Sequence, residues 1–221
     1  MLRRILISLL LVVIAVHAAS ALALLALRVV NPVTTGIQIQ RRIEALLHRT
    51  PYRKRYTFVP LKQISPELQH AVISAEDGRF YQHSGLDWAE MQKVAEESQK
   101  KGELTRGAST LTQQLVKNLF FTTHRNPLRK VCEYTLAPMA DQILGKRRVL
   151  ELYLNVVEWG PAGVFGAEEG AKLHYHMPAA RLDREQAARM AAILPAPRRW
   201  RPARMDDYSA TILARMDKAG W

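Results

Sequence analysis

The sequence predicts a mainly α-helical protein that begins with a membrane-spanning helix. The uncharged run over residues 5–27 is longer than the roughly 20 apolar residues that an α-helix needs to cross a bilayer. Beyond residue 60, apolar residues recur at the three- and four-residue spacing of helices, and no strand-like alternation exceeds a few residues. We therefore expect a short stub and a transmembrane anchor over residues 1–28, a juxtamembrane connector over 29–60, and a globular domain over 61–221.

The apolar run also has one feature of a cleaved signal peptide, because Ala19, Ser20 and Ala21 resemble a small-residue cleavage site. The run continues past this site to Leu27, further than the apolar part of a usual signal peptide, which favours a retained anchor. Basic residues flank the run on both sides, so the positive-inside rule does not decide its orientation. They are Arg3 and Arg4 before it, and Arg28, Arg41 and Arg42 after it.

The juxtamembrane connector contains one amphipathic pattern, in which apolar residues recur at helical spacing with arginines between them. These residues are Ile39, Ile43, Leu46 and Leu47, with Arg41, Arg42 and Arg49. Such a helix can lie on anionic headgroups or pack on the globular domain, and the sequence leaves both open. Pro51 and the basic and aromatic residues 52–56 indicate an extended stretch after it.

Capping residues and helix breakers predict the order of helices in the globular domain. Ser65 and Pro66 open the first helix, which Gly78 ends, and a polar helix over residues 89–101 stops at Gly102. The next helix is expected where Leu111, Leu115 and Leu119 form an apolar stripe. Two further helices are expected, one from Asn126 and Pro127 to Gly145 and one over residues 147–157. A last helix should begin at a capping box of Asp183 and Gln186 and end at Pro195.

The charge of the chain narrows the class of partner. Lys and Arg number 32 against 20 Asp and Glu, which gives a formal charge of +12. This excess favours an anionic partner, either nucleic acid, anionic lipid or a phosphorylated substrate. The single cysteine, Cys132, excludes an intrachain disulfide and therefore a disulfide-stabilised scaffold.

Two adjacent carboxylates, Glu76 and Asp77, end the first predicted helix of the domain and precede Gly78, two aromatic residues and His83. The C-terminal end of a helix disfavours a further negative charge, which raises the pKa of a carboxyl group there. A raised pKa suits a general acid or base. By itself, such a pair of carboxylates is also common on a solvated surface.

Residues 107–118, a run rich in hydroxyl and amide side chains, open the next predicted helix. Ser109 or Thr110 can cap this helix, and free backbone N–H groups at a helix start suit phosphate oxygens. Gln114 and Lys117 lie one turn apart on one face, where they can contact sugar hydroxyls and a phosphate. The alternative is an ordinary capped helix on the surface.

Arg129 and Glu133 are four residues apart in the following predicted helix and share a face. They form either a helix salt bridge that stabilises by about a few tenths of a kcal/mol, or an arginine for a diphosphate beside a second catalytic carboxylate. The spacing of the two residues leaves both interpretations open.

Together, these three segments resemble the peptidoglycan glycosyltransferases, the domain found in bifunctional penicillin-binding proteins and in monofunctional biosynthetic transglycosylases. Order and spacing agree over about residues 64–175. The matching residues are Glu76-Asp77-x-x-Phe80-x-x-His83-x-Gly85, all of 107–118, Arg129-Lys130-x-x-Glu133, and all of 149–155. A further family block after Pro195 is matched only by Pro197, Arg198, Arg199 and Arg201.

The resemblance implies a lysozyme-like, mainly helical domain with a cleft beside the membrane. It implies that Glu76 is the general base that deprotonates the 4-hydroxyl of an incoming lipid-linked disaccharide, lipid II. That oxygen attacks the anomeric carbon of the growing strand with inversion and expels undecaprenyl diphosphate. By the same resemblance, Glu133 corresponds to the second catalytic carboxylate, which either assists at the diphosphate side or orients the basic residues. Lys117, Arg129 and Lys130 would stabilise the departing diphosphate. The other expected substrate-binding residues are Asp77, Phe80, His83, Ser109, Thr110, Gln113, Gln114, Asn118, Glu158 and Arg201.

The same resemblance sets expectations for cofactor, partners and location. No cofactor is required, although a divalent cation, magnesium or manganese, is compatible with the family, and the sequence shows only an isolated histidine pair, His174 and His176. The expected partners are lipid II, the growing glycan strand, the cytoplasmic membrane, and other cell-wall synthesis or division proteins, with no nucleic acid. The expected location is the inner membrane, crossed once, with the catalytic domain on the periplasmic face.

Two other functions compete with this interpretation. A hydrolase or lytic transglycosylase would also use carboxylates in a lysozyme-like cleft, but the phosphate-directed basic residues count against it. A non-catalytic membrane protein that binds nucleic acid or anionic lipid would explain the charge, but no nucleic-acid motif is present. A transpeptidase is not expected, because Ser98 and Lys101 fit S-x-x-K without the S-D-N or K-T-G that accompany it.

Overall fold

The computed structural model describes residues 1–102, 107–124 and 126–221, and this part of the chain is mainly helical. The mainly α-helical class predicted from the sequence is therefore confirmed. The α-helices of the described residues are α1 (Leu2–Leu27), α2 (Gly36–Leu47), α3 (Pro66–Glu76), α4 (Trp88–Lys101), α5 (Leu111–Phe120), α6 (Pro127–Val156), α7 (Ala167–Tyr175), α8 (Arg184–Ala192) and α9 (Asp206–Lys218).

Most helix boundaries follow the capping residues that the sequence offers. Ser65 accepts a hydrogen bond from the Glu67 N–H at the start of α3, and Asp183 with Gln186 forms a capping box at the start of α8. α4 ends at Gly102 in the left-handed conformation, as predicted. α3 ends at Glu76, two residues before the predicted Gly78. The sequence analysis missed α7 and α9 entirely.

Gly145 divides α6, because its φ of 73° and ψ of 158° interrupt the helical backbone. This is the point where the sequence predicted one helix to end and the next to begin, and the left-handed φ is the reason that a glycine is favoured there. The two halves of α6 have different roles. The first half carries Glu133, whereas the second half is buried, with Leu150 and Tyr153 at 1% and 0% exposure.

A small sheet, absent from the sequence prediction, joins the connector to the globular domain. Its strands within the described residues are β1 (Arg55–Tyr56), β2 (Glu158–Gly160) and β3 (Val164–Phe165), in the order β1-β3-β2. β1 pairs parallel with β3, and β2 pairs antiparallel with β3. Strands of two or three residues are too short to show the alternation by which strands are found in a sequence.

The core lies between α3, the buried faces of α5 and α6, and the apolar faces of α8 and α9. Phe80, Tyr153 and Trp159 are among its largest fully buried side chains. The loop after Phe80 lies directly on α6, since a Cβ built on Gly85 would come within 2.6 Å of the Ala137 carbonyl oxygen. This close approach fixes the loop that carries His83 against α6.

α1 contacts the rest of the molecule along α6. The His17 Nε2 atom lies 2.8 Å from the Thr135 hydroxyl, and the Arg148 guanidinium donates to the backbone oxygens of Leu27 and Val30 at 2.8 and 2.9 Å. The segment Arg3–Leu27 is long and apolar enough to cross a membrane. Since α1 is bonded to α6 near its middle and at its end, it is positioned relative to the domain.

α2 packs on the globular domain, which is one of the two alternatives that the sequence left open, and it leaves its other face exposed. Its inner face packs on the domain, with Ile37, Gln38 and Gln40 buried. Its outer face is a stripe of exposed apolar side chains, which we call the α2 stripe. The members of the α2 stripe are Ile39, Ile43, Leu46 and Leu47.

Candidate active site

Glu76, the last residue of α3, accepts a hydrogen bond from the side-chain amide of Gln114 on α5. The Gln114 Nε2 atom donates to the Glu76 Oε2 atom at 2.7 Å, and the Tyr153 hydroxyl donates to the Gln114 Oε1 atom at 3.1 Å. The second contact fixes which end of the amide faces Glu76. Within the described residues, no cation forms an ion pair with the Glu76 carboxylate.

The environment of Glu76 raises the pKa of its carboxyl group. Burial is the main cause, because it removes water from the charged form, and the nearby Asp77 carboxylate adds to it. The Gln114 hydrogen bond and the charge of Lys117 oppose the increase but do not cancel it. The sequence predicted this direction from the helix end, whereas burial is the larger cause in the structure.

Lys117 lies one turn beyond Gln114 on α5, between the two predicted catalytic carboxylates. Burial lowers the pKa of its ammonium group, which Glu133 and Glu76 counteract and Arg129 reinforces. Among the residues that the structure describes, the ammonium forms neither an ion pair nor a hydrogen bond. A partly buried cation without an ion-pair partner is suited to bind an anionic ligand.

Glu133 is bound by two cations at the start of α6. Its side chain is 3% exposed, and its carboxylate oxygens accept from Arg129 Nη1 at 2.6 Å and from Lys130 Nζ at 3.1 Å. Lys130 also donates to the Ser109 hydroxyl at 2.9 Å. The salt bridge that the sequence left as one interpretation is present. It is also part of a group of three cations, Lys117, Arg129 and Lys130, which Glu133 compensates only in part.

Asp77 connects the end of α3 to the start of α5. One of its oxygens accepts from the Leu111 N–H at 2.9 Å, and the carboxylate lies 3.0 Å from the His83 Nε2 atom. Thr110 donates to the Gly85 carbonyl at 2.6 Å and accepts from the Gln113 N–H as the N-cap of α5. These contacts join the end of α3 to the start of α5.

The prediction of a phosphate site at the start of α5 is wrong for the N–H groups of Leu111 and Gln113. Both donate to side chains of the protein, to Asp77 and Thr110 respectively. The Asp77 carboxylate at the same place would also repel a phosphate. These two N–H groups are therefore not free to bind an anion.

Several residues that were predicted to contact the substrate are buried and pack within the protein in this structure. Phe80 is 0% exposed, and Gln113 and Asn118 are 1% and 3% exposed. The Asn118 amide donates to the Gln114 carbonyl oxygen at 2.8 Å, within the same helix. Direct contact of these residues, and of Asp77 and His83, with a substrate stays a prediction.

Glu158 and Arg201 do not join the group around Glu76. Glu158, on β2, pairs with Arg41 of α2 at 3.0 Å. Arg201 donates to the Trp200 carbonyl oxygen at 3.0 Å and lines a separate cavity of about 900 Å³ beside His174. In the part of the chain that the structure describes, neither residue contacts Glu76 or Glu133.

Asp77, His83 and Asp87 have ligand atoms within 4.8 Å of one another, close enough to hold a metal ion. Their oxygens already accept hydrogen bonds from the protein, however. Asp77 accepts from Leu111, while Asp87 accepts from the Glu90 N–H at 2.9 Å and pairs with Arg79 at 3.4 Å. A cation would have to displace these donors, so the cluster fits a capping network better than a magnesium or manganese site.

Tyr153 is the site residue that the sequence analysis missed. It lies in the block 149–155 that carried the family resemblance, but its role depends on the contact between α6 and α5. The hydroxyl is buried, which together with the charges of Glu76 and Asp77 raises its pKa well above the usual value. The Tyr153 hydroxyl therefore stays protonated. It forms hydrogen bonds, as it does to Gln114, but does not act as a base.

Comparison with known proteins identifies the family to which this chain is similar. Residues 43–217 match a protein family described as transglycosylase. A biosynthetic peptidoglycan transglycosylase of Azoarcus sp. (strain BH72) is 46% identical over 171 residues, 77% of this chain and 73% of that protein. One of Nitrosospira multiformis is 42% identical over 194 residues, 86% of this chain and 84% of that protein. One of Pseudomonas entomophila is 39% identical over 204 residues, which are 92% of this chain and 83% of that protein.

Proposed function

This chain belongs to the transglycosylase family, and from that premise we propose how its residues carry out the reaction. The chain is a peptidoglycan glycosyltransferase that polymerises glycan strands in cell-wall synthesis, and its domain has the lysozyme-like fold that the resemblance implied. Its substrates are lipid II and the growing strand. The proposed mechanism rests on a contrast: Glu76 has no ion-pair partner among the described residues, whereas three cations, Lys117, Arg129 and Lys130, lie nearby.

Glu76 is the general base in this proposal. Its carboxylate accepts one hydrogen bond from Gln114 and forms no ion pair with the described residues, so an oxygen is left to accept the proton of the acceptor 4-hydroxyl. The raised pKa brings the base closer to neutral pH, where the balance between its ionised fraction and its basicity favours proton transfer.

In the proposed mechanism, Lys117, Arg129 and Lys130 bind the diphosphate leaving group. A diphosphate gains negative charge as its bond to the anomeric carbon breaks, and cations already in place stabilise that charge without reorganisation. Glu133 holds Arg129 and Lys130 through charge-assisted hydrogen bonds of 2.6 and 3.1 Å. Its role here is to orient the two cations.

The proposed reaction is a single displacement. The 4-hydroxyl oxygen, deprotonated by Glu76, forms a bond to the anomeric carbon of the growing strand on the face opposite the diphosphate. The bond to the diphosphate breaks, and undecaprenyl diphosphate leaves with both electrons. Attack from the opposite face inverts the anomeric configuration. No cofactor takes part in these steps, and a divalent cation, where present, would act on the diphosphate oxygens.

The location of the enzyme is also part of the proposal. The apolar helix Arg3–Leu27 supports a single-pass anchor, and bonds from α6 to α1 hold the domain next to it. A lipid-linked substrate has to be met at the bilayer, and we place the domain at the periplasmic face of the inner membrane. Other cell-wall synthesis or division proteins are proposed partners, and nucleic acid is not.

The test is polymerisation by the purified full chain. We expect labelled lipid II to be converted into a polymer that separates from the monomer on a gel, with an anomeric configuration opposite to that of the substrate by NMR. The matched control is Glu76→Gln, which keeps the shape of the side chain. Shortening of preformed glycan strands with no polymer from lipid II would instead indicate a hydrolase and contradict the proposal.

A further inference from the structure

We propose that a groove on α2 binds the headgroup of an anionic membrane phospholipid, an inference that rests on the proposed membrane anchor. The groove is a cavity of about 610 Å³, separate from Glu76 and its neighbours. Its lining combines part of the α2 stripe with basic and polar side chains. The lining residues are Thr34, Gln38, Ile39, Arg42, Ile43, Leu46, Tyr52 and Lys54.

The walls of the groove are apolar and open to solvent. Ile39, Ile43 and Leu46 are 49%, 50% and 71% exposed, although apolar side chains on a helix normally face the core. The opposite face of α2 is buried on the domain, and no part of the chain that the structure describes covers this one. An apolar ligand at this place would remove the stripe from water.

The cations of the groove lack carboxylate partners. Within the described residues, the Arg42 guanidinium forms no ion pair or hydrogen bond. The Lys54 ammonium donates to the Val33 carbonyl oxygen at 2.9 Å and contacts the Gln38 side chain. The neighbouring carboxylates Glu44 and Glu158 are both held by Arg41, at 2.9 and 3.0 Å.

The position of the groove points to a membrane lipid. The Arg148 guanidinium donates to Leu27, Val30 and Asn31 together, which keeps the segment after α1 folded close to the end of the apolar helix. Lys54 then bonds to Val33, two residues further on. The groove therefore lies near the end of the anchor, where the phosphates of the bilayer are found.

These features define a ligand with an anionic head and an apolar tail. The phosphate would lie between Arg42 and Lys54, and the first carbons of an acyl chain would lie along Ile39, Ile43 and Leu46. Nucleic acid would leave the apolar wall exposed, and an apolar protein segment would leave the two cations without a counterion. An anionic phospholipid satisfies both sets of groups.

The experiment uses the full chain in a nonionic detergent and counts bound lipid by native mass spectrometry. The probes are dioctanoyl phosphatidylglycerol, dioctanoyl phosphatidylcholine and inorganic phosphate. We expect one phosphatidylglycerol to bind saturably, and the other two probes to bind at least about tenfold more weakly, since each lacks either the net charge or the tail.

Two variants and one control locate the site. Arg42→Gln and Ile43→Ser should each weaken phosphatidylglycerol binding, the first by about tenfold because a charge-assisted contact is lost. Arg53→Gln removes the same charge from a neighbouring exposed position outside the groove and should leave binding unchanged. Equal losses in Arg42→Gln and Arg53→Gln, or no loss in Arg42→Gln, would overturn the proposal.

Polymerisation of lipid II in detergent without phosphatidylglycerol distinguishes this lipid from the lipid of the substrate. Arg42→Gln should keep the wild-type KM, because the groove is distinct from the residues around Glu76. A raised KM would mean that the groove holds the substrate's own prenyl diphosphate and would overturn the phospholipid assignment. Because lipid binding is measured without turnover, a failure of the proposed enzyme mechanism would leave this result interpretable.

Discussion

The end of α3 and the start of α6 each present one carboxylate near Lys117, and the two are held in opposite ways. Glu76 accepts from a neutral amide at 2.7 Å and has a raised pKa. Glu133 accepts from two cations at 2.6 and 3.1 Å, and its side chain is 3% exposed. The first carboxylate is therefore suited to take up a proton, and the second is suited to orient the two cations that it binds.

This difference teaches that sequence position alone does not assign a catalytic role to an acid. Glu76 is the last residue of α3, and Glu133 lies nearly two turns into α6. Among the described residues no cation pairs with Glu76, whereas two cations pair with Glu133. In many enzymes, the different environments of two carboxylates separate their catalytic roles. The following predictions test this separation, in order of decreasing expected effect.

Glu76→Gln should abolish most of the polymerisation, with a loss of at least about 10²-fold, because general-base catalysis contributes 10² to 10⁴ in rate. The amide keeps the size of the side chain but cannot accept the proton. Turnover of lipid II by the purified variant, with circular dichroism to check folding, measures the effect. Near-normal turnover would remove Glu76 from the base role.

The same substitution should leave thermal stability unchanged or increase it at neutral pH. Because the pKa of Glu76 is higher in the folded chain than in the unfolded one, its ionisation costs folding free energy. That cost develops as pH rises from the unfolded pKa to the folded pKa, and it is absent below both. A lower melting temperature than wild type at neutral pH, with no difference in acid, would show that Glu76 instead stabilises the fold.

Arg129→Ala should reduce turnover by about 10- to 100-fold, the range expected for the loss of a charge-assisted hydrogen bond to a diphosphate. The melting temperature should change little, because Lys130 still pairs with Glu133. Arg129→Lys should rescue only part of the activity, since an ammonium group cannot bind two phosphate oxygens as a guanidinium does.

Arg189→Ala on α8 is the matched control for Arg129→Ala. Arg189 and Glu185 form a salt bridge with the same four-residue spacing at 3.1 Å, and Arg189 also pairs with Asp206. In the described contacts, Arg189 does not touch Glu76, Lys117 or Glu133. This control should leave turnover unchanged. If Arg129→Ala lowered stability and preserved activity, the salt bridge would be structural only.

Gln114→Ala should move the acidic limb of the pH profile of kcat/KM to higher pH. The Gln114 amide favours the ionised form of Glu76 and lowers its pKa, so its removal raises the pKa of the base. Tyr153→Phe, which only frees the amide to rotate, should move the limb in the same direction by less. A shift to lower pH in either variant would contradict the assigned hydrogen-bond directions.

Much of the helical fold could be predicted from the sequence, because caps and breakers act locally. Ser65, Gly102, Gly145 and Asp183 all lie at the boundaries that their chemistry indicates. The strands could not be predicted, since each depends on a partner more than 100 residues away or on a tight local turn. α7 and α9 were missed for lack of a strong capping signal before them.

The sequence predicted which residues lie together at the candidate site better than it predicted the contacts between them. Glu76, Lys117 and Glu133 were found from motif and spacing, and the structure places all three in one electrostatic group. The contact of Asp77 with the start of α5 was not foreseen, because it joins two segments that are 34 residues apart. For the same reason, a phosphate site was expected where Asp77 lies.

The central claim, that Glu76 transfers the proton while Glu133 orients cations, is tested most directly by one measurement. The pH dependence of kcat/KM should be recorded for wild type, Glu76→Gln and Glu133→Gln. We expect Glu133→Gln to lower the plateau and keep the acidic limb, and the residual activity of Glu76→Gln to lack that limb. An acidic limb that persists in Glu76→Gln and disappears in Glu133→Gln would contradict the account.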